Sequence, residues 1–218
     1  EDLEHIMALC EKYNLYIMND EIWSDIIFPE APFNSIYLLG NERCRRVMSV
    51  FGWSKSFGIA GMRIGCVYTT DPALFERMVE KSDVMSTAGG ISSLSQIAGT
   101  ACMHNYDWVD AFLVHLKGNR DYAVDRLKHM PLVKAYAPRA TYLLYVDIRA
   151  FGMKSEDFTD YMKQKVKLAL VSGGEKFFGQ GSEGYIRICF ATSRGILEEG
   201  LNRLEKGIRM LMEEKGLH

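Results

Sequence analysis

Ser49-Val50-Phe51-Gly52-Trp53-Ser54-Lys55-Ser56-Phe57-Gly58-Ile59-Ala60-Gly61-Met62-Arg63-Ile64-Gly65 is the stretch that decides the fold. The apolar, β-prone run Val47 to Phe51 stops at Gly52, a lone lysine between two serines follows, and a glycine-punctuated turn then carries Arg63. One amine is presented at the end of a strand. The pattern suits a lysine that forms a Schiff base, with small hydroxyls and a cation nearby to hold an anionic group such as a cofactor phosphate. It also suits an ordinary loop lysine, and the stretch by itself leaves both readings open.

Upstream, Leu3, Ile6, Met7 and Cys10 have the spacing of an amphipathic helix over residues 2–13, and the apolar run Leu15 to Met18 ends at Asn19-Asp20-Glu21. A helix followed by a buried strand that ends in an acid predicts an α/β unit with its functional end at the strand's carboxyl edge. Residues 24–45, with turns at Pro29 and Pro32, read as an excursion over the surface. Downstream, a strand is expected within 63–69. A helix capped by Asp71-Pro72 should run on through Met85 until Ala88-Gly89-Gly90 breaks it. The uncharged segment 91–103 predicts a helix packed closely within the protein, and 106–130 a long helix weakened at Gly118. After Pro131 the character changes to α+β, with strands expected over 133–136, 140–147, 168–172 and 185–191 and helices over 155–167 and 194–214. The domain boundary is placed near 130, giving domains 1–130 and 131–218.

The chain has 218 residues, 48% of them hydrophobic, enough to bury a sizeable core. A net charge of -2 with both signs dispersed gives no reason to expect nucleic acid, and Arg43-Arg45-Arg46 reads as a solvated approach to a strand. No apolar run reaches membrane-spanning length, and no leader pattern precedes the first helix. The expectation is a soluble, cytoplasmic protein without membrane partners. Five widely spaced cysteines, mostly in apolar segments, predict reduced core thiols, and none has zinc-ligand spacing, so no metal is expected.

Ser54-Lys55 with Gly61-Met62-Arg63-Ile64-Gly65 resembles the pyridoxal-phosphate lysine segment of the class I/II aminotransferases, a family of fold type I. The resemblance implies pyridoxal 5'-phosphate as cofactor, Lys55 as the lysine that bonds to it and later acts as general base, and Ser54 and Arg63 as ligands of its phosphate. Gly52 stands where many members have a second serine. Asn19-Asp20-Glu21-Ile22-Trp23 is similar to the family's Asp-Glu-x-Tyr/His segment, which assigns Asp20 to the pyridine nitrogen. Trp23 departs from that pattern; its indole N–H can donate but cannot exchange a proton, so it either joins the cofactor site or packs in the core. Arg187 stands alone among apolar residues in Gly184 to Ala191, so it must meet an anion or face solvent on the polar side of its strand. In the family the matching arginine grips the substrate α-carboxylate.

Ala140-Thr141-Tyr142-Leu143, Lys117-Gly118-Asn119 and Gly179-Gln180-Gly181 also resemble the cystathionine β-lyase and cystalysin-like branch. The resemblance therefore implies an α/β protein, the C-terminal part of a fold type I large domain plus a smaller α+β domain. The implied activity is that of an aminotransferase-family enzyme acting on an amino acid through an external aldimine. A carbon-sulfur β-lyase is the first alternative and a catalytically inert relative the second. The intact protein is expected to be a homodimer. Nothing in the chain matches the family's N-terminal cofactor contacts, so the chain by itself is expected to be inactive.

Overall fold

The computed structural model describes residues 1–86 and 89–217. They form two compact units, Glu1–Ala111 and Phe112–His218. The division falls inside one long helix, ahead of the composition change near residue 130.

In the first unit, helix α1 (Asp2–Lys12) leads into strand β1 (Ile17–Asp20), which pairs in parallel with β2 (Val47–Phe51); β3 (Cys66–Tyr68) closes the sheet antiparallel to β2. The register sets Ile17 beside Val47 and Asn19 beside Ser49. Because side chains alternate across a strand, these four share one face and Met18, Asp20 and Val50 the other. The first face buries Val47 with Met7, Ile36 and Cys44, and Ile17, Tyr37 and Leu39 pack against that cluster. The segment expected to run over the surface thus supplies core: Ile26, Phe28 and Ile36 are buried. Burial of three such side chains is worth several kcal/mol, which outweighs the turn signals of Pro29 and Pro32. The arginines that follow tie elements together. Arg43 makes a forked bond to Glu11, Arg45 meets Asp71 at 3.3 Å, and Arg46 donates to the carbonyls of Cys10 and Leu15.

Helix α2 (Pro72–Lys81) has Asp71 at its N-cap and Pro72 at its first position, but the Asp71 carboxylate turns to Arg45 and caps no N–H. The helix stops before Met85 because Asp83 adopts a left-handed backbone, φ 47°, and Met85 is exposed. Of the expected breaker, Ala88 lies outside the described residues. Helix α3 (Ser93–Met103) is capped by the Ser92 hydroxyl and buries only the Ser95, Gly99 and Cys102 stripe, leaving Leu94 and Ile97 exposed. It is therefore half-packed, not enclosed.

Helix α4 (Tyr106–Lys128) runs unbroken through Gly118. The second unit holds an antiparallel sheet in the order β4 (Leu143–Asp147), β6 (Tyr185–Cys189), β5 (Val171–Ser172), with helices α5 (Ser155–Val166), α6 (Glu175–Phe178) and α7 (Arg194–Lys215). Leu144, Val146, Ile186 and Ile188 on one face, with Phe158 and Met162 of α5 and Leu197, Leu201, Leu204 and Ile208 of α7, make up its buried apolar set. The two helices touch at Gly207, where a Cβ would strike the Met162 sulfur. Residues 133–136 are not a strand; they contribute a single bridge, Lys134 to Asp147. Thr141, at φ 66°, keeps the first residues of 140–147 out of β4.

All five cysteines are free, and Cys44 and Cys102 are buried as expected. Cys66 and Cys189 are exposed, which corrects the expectation of core thiols there; Cys189 lies on the face of β6 opposite Ile186 and Ile188. Among the described residues no helix is long and apolar enough to cross a membrane, and no cluster of His, Cys, Asp or Glu could hold a metal ion.

Candidate active site

Parallel pairing of β1 and β2 brings their carboxyl ends together, since Asp20 lies beside Val50 and the Glu21 N–H continues the ladder to the Val50 carbonyl. The segments that leave these two ends form the site. Asp20 is exposed on the sheet's open face, and its Oδ1 accepts the Ile22 N–H at 3.0 Å, so the strand ends in a carboxylate-closed turn. Trp23 follows, half-buried, and the Lys55 Nζ sits over its ring at 5.3 Å from the centroid. Lys55 and Ser54 are themselves half-buried, and Lys55 has no acid partner among the described residues.

The backbone between β2 and β3 is held by close packing of two glycines. A Cβ on Gly65 would lie 3.0 Å from the Phe51 carbonyl oxygen, and one on Gly52 would meet Gly65 Cα at 3.4 Å. Between them Arg63 adopts φ 52°, a left-handed conformation that costs a non-glycine residue about 1 kcal/mol. Its guanidinium is exposed and has no ion pair among the described residues. Helix α3 braces this turn: the Ser95 hydroxyl donates to the Met62 carbonyl at 2.5 Å, and a Cβ on Gly99 would lie 2.6 Å from Ile64 Cδ1.

Glu21, Tyr68 and Asp25 were given no role from the sequence, and Ser56 was read only as a serine flanking Lys55. Glu21 is buried and accepts bonds from Asn19 Nδ2 at 2.9 Å, Ser35 Oγ at 2.7 Å and Tyr68 Oη at 2.8 Å. Burial, and then the adjacent Glu21 carboxylate, push the Tyr68 phenol well above its ordinary range, so it acts as a donor. Asp25 accepts the hydroxyl of fully buried Ser56 at 2.6 Å and that of Tyr106 at 3.4 Å on the same Oδ2. In the sequence each is one polar residue among many; only Ser56, adjacent to Lys55, carried a positional signal.

Thus the fold gathers Asp20, Trp23, Ser54 and Lys55 at one sheet edge and continues the chain to Arg63. Arg187 belongs to the second unit. It is half-buried at the centre of β6, between Tyr145 of β4 and Val171 of β5, on the face opposite buried Ile186 and Ile188. Its guanidinium lies 5.8 Å from the Phe178 ring centroid and forms no ion pair among the described residues. Tyr145 stacks on Tyr185 at 4.8 Å and packs against Phe178, so the cation stands beside an aromatic wall.

Residues 1–204 match the family model for aminotransferase class I and II. The chain is 30% identical over 206 residues to the aspartate aminotransferase of Pyrococcus horikoshii, covering 93% of this chain and 51% of that protein. Among solved structures, it is similar to cystalysin from Treponema denticola, which contains a pyridoxal 5'-phosphate cofactor. The TM-score is 0.88 at 26% identity, over 96% of this chain and 53% of that one. It is also similar to an aromatic aminotransferase from Pyrococcus horikoshii, with a TM-score of 0.84 at 28% identity over 100% of this chain and 56% of that one. The chain spans about half the length of the relatives it matches.

Proposed function

The chain belongs to the class I and II aminotransferases, and from that membership we propose that the whole protein is a pyridoxal-phosphate enzyme acting on an amino acid. The first unit is then the C-terminal part of the cofactor-binding domain and the second the smaller domain. One observation carries the proposal. A half-buried amine without an acid partner among the described residues, Lys55, stands at the shared carboxyl end of β1 and β2, where Asp20 ends its strand.

The residues fit the cofactor by the chemistry of their free groups. Among the described residues, Lys55 offers an amine without a hydrogen-bond or ion-pair partner, Ser54 a hydroxyl, Arg63 a guanidinium without an ion pair on a turn held in a strained conformation, and Asp20 an exposed carboxylate. When bound, pyridoxal phosphate supplies an electron sink that makes the α-proton of an amino acid acidic. Asp20 would keep a proton at the ring nitrogen, and Ser54 and Arg63 would hold the phosphate. Lys55 would hold the cofactor and would be the base for the α-proton. The Trp23 ring, 5.3 Å from the Lys55 amine, offers no second proton shuttle. Arg187 would grip the substrate carboxylate with its planar fork. In the same reading the protein works as a cytoplasmic homodimer, the compartment being supported by five unpaired thiols.

Two measurements test this. Lys55→Ala in the full-length protein should abolish the visible absorption of bound cofactor and lower turnover by about 1,000-fold or more, with the thermal midpoint unchanged; an unchanged spectrum would overturn the assignment of Lys55. Turnover that depends on an added keto acid is the expected result for an aminotransferase. The similarity to cystalysin favours a second reading, a carbon-sulfur β-lyase, and release of pyruvate and ammonia from cystathionine without a keto acid would select it.

A further inference from the structure

Lys55 is held by a segment that the reaction itself does not require. Residues 23–25, just beyond β1, grip residues 55–56, just beyond β2, at two points. The Trp23 ring lies under the Lys55 amine, and the Asp25 carboxylate accepts the Ser56 hydroxyl at 2.6 Å. Ser56 is fully buried, so its hydroxyl has no water to turn to and its donor direction is fixed by Asp25. Asp25 is fixed in turn from a third element, by the Tyr106 hydroxyl at 3.4 Å on the same oxygen. Phe57 completes the bracket by packing its ring edge-on to Tyr106 at 5.8 Å and stacking it on Trp108 at 5.5 Å. The residues on either side of the Lys55 backbone therefore have little freedom, whereas the amine has no hydrogen-bond or ion-pair partner among the described residues.

We propose that Asp25 and Ser56 are positioning residues that act as one unit, fixing the turn that carries Lys55 so that its amine points at a single place. The proposal rests on the reading of Lys55 as the cofactor lysine. A lysine has four rotatable side-chain bonds, and proton transfer needs its nitrogen within hydrogen-bond reach of one carbon-bound hydrogen. Fixing the backbone sets the origin from which that side chain reaches, and misplacement by about 1 Å can cost on the order of 100-fold in rate. Neither side chain is asked to touch substrate or cofactor. Loss of either should lower the rate of steps in which Lys55 moves, and leave the affinity for substrate, set elsewhere, largely alone.

The experiment uses the full-length protein carrying Ser56→Ala, Asp25→Ala, the double substitution, and Ser56→Thr, which restores the hydroxyl. Turnover is measured together with the rate at which cofactor-free protein attaches pyridoxal phosphate to Lys55, fixed by borohydride and read by peptide mass. Each single alanine variant should lower kcat and the attachment rate by about 10-fold or more with KM changed less than about two-fold. The double variant should be no slower than the slower single one, because the Ser56–Asp25 bond is lost in all three. Ser56→Thr should recover most of the loss. Unchanged rates, additive losses, or an effect confined to KM would overturn the positioning role while leaving Lys55 as the cofactor lysine. Borohydride fixing the cofactor to another lysine in the unmodified protein would instead overturn the reading of Lys55 and this role with it.

Discussion

The two units of this chain differ in how much apolar surface they bury. In the first, the buried residues include a carboxylate, Glu21, with three side-chain donors around it, while Asp20 ends β1 and the segment between β2 and β3 carries Lys55 and Arg63. Its sheet has three short strands, and Met18, Leu94 and Ile97 are exposed. In the second, the core is an apolar layer of α5 and α7 with one sheet face; Asn119, Arg120 and Ser155 are buried as well, and Asp147, Glu183 and Glu205 meet arginine side chains or N–H groups nearer the surface. The difference teaches how each part of the fold is held. The second unit is held by area removed from water. The first buries fewer apolar side chains and sets directed hydrogen bonds around the buried Glu21 carboxylate, while close glycine contacts occur in both, at Gly65 and at Gly207.

Stability measurements should expose this contrast most strongly. Phe158→Ala, which empties a fully buried site in α5, should cost about 3–5 kcal/mol, whereas Met18→Ala on the exposed sheet face should stay within about 0.5 kcal/mol. Equal losses in denaturant titrations would show that the Met18 face is covered in the protein. Next in size, Arg187→Ala should raise KM by about 100-fold with cofactor content nearly intact, since a doubly hydrogen-bonded carboxylate loses both bonds. Parallel loss of cofactor, followed by absorbance, would give that arginine a different role. Glu21→Ala should cost about 1–3 kcal/mol by stranding the hydroxyls of Ser35 and Tyr68, and Glu21→Gln less, because it keeps an acceptor; chemical denaturation of both variants separates the two effects.

The smallest effect is expected at low pH. The Arg149 side chain holds the Asp147 carboxyl below its usual range, and the N–H of Ser155 does the same for Glu183. Folded values depressed below the unfolded ones mean that this stabilisation is complete above the ordinary carboxylate range, near pH 4, and is lost as pH falls through the folded values. Exposure of these groups keeps it modest. Arg149→Ala should therefore narrow the stability difference between pH 7 and pH 3, as read by circular dichroism during acid titration. An undiminished difference would show that the Arg149 pairing contributes nothing.

Much of the fold was legible because local rules and the tertiary structure agree. The period of Leu3, Met7 and Cys10 gave α1, the β-prone run before Gly52 gave β2, and the alternation around Arg187 gave β6. Where the sequence misled, a distant contact decided the outcome. Prolines 29 and 32 signalled a surface loop, yet Ile26 and Phe28 before them and Ile36 after them are buried. Val133 to Tyr136 has strand composition but pairs at a single bridge. Asp71 sits where a cap belongs, and an arginine from another segment takes its carboxylate.

By itself the sequence determined which residue types are available at the site: one lysine beyond a strand, a carboxylate at the end of its neighbour, and arginines at Arg63 and Arg187. These are properties of short stretches, and short stretches carry them. Tertiary structure alone decided that β1 and β2 lie in parallel, so that Trp23 comes beneath Lys55 and Asp25 reaches Ser56. Pairing between strands and hydrogen bonds across some 30 residues of chain depend on which surfaces can be buried together, and that is a property of the whole packed unit, not of any window within it.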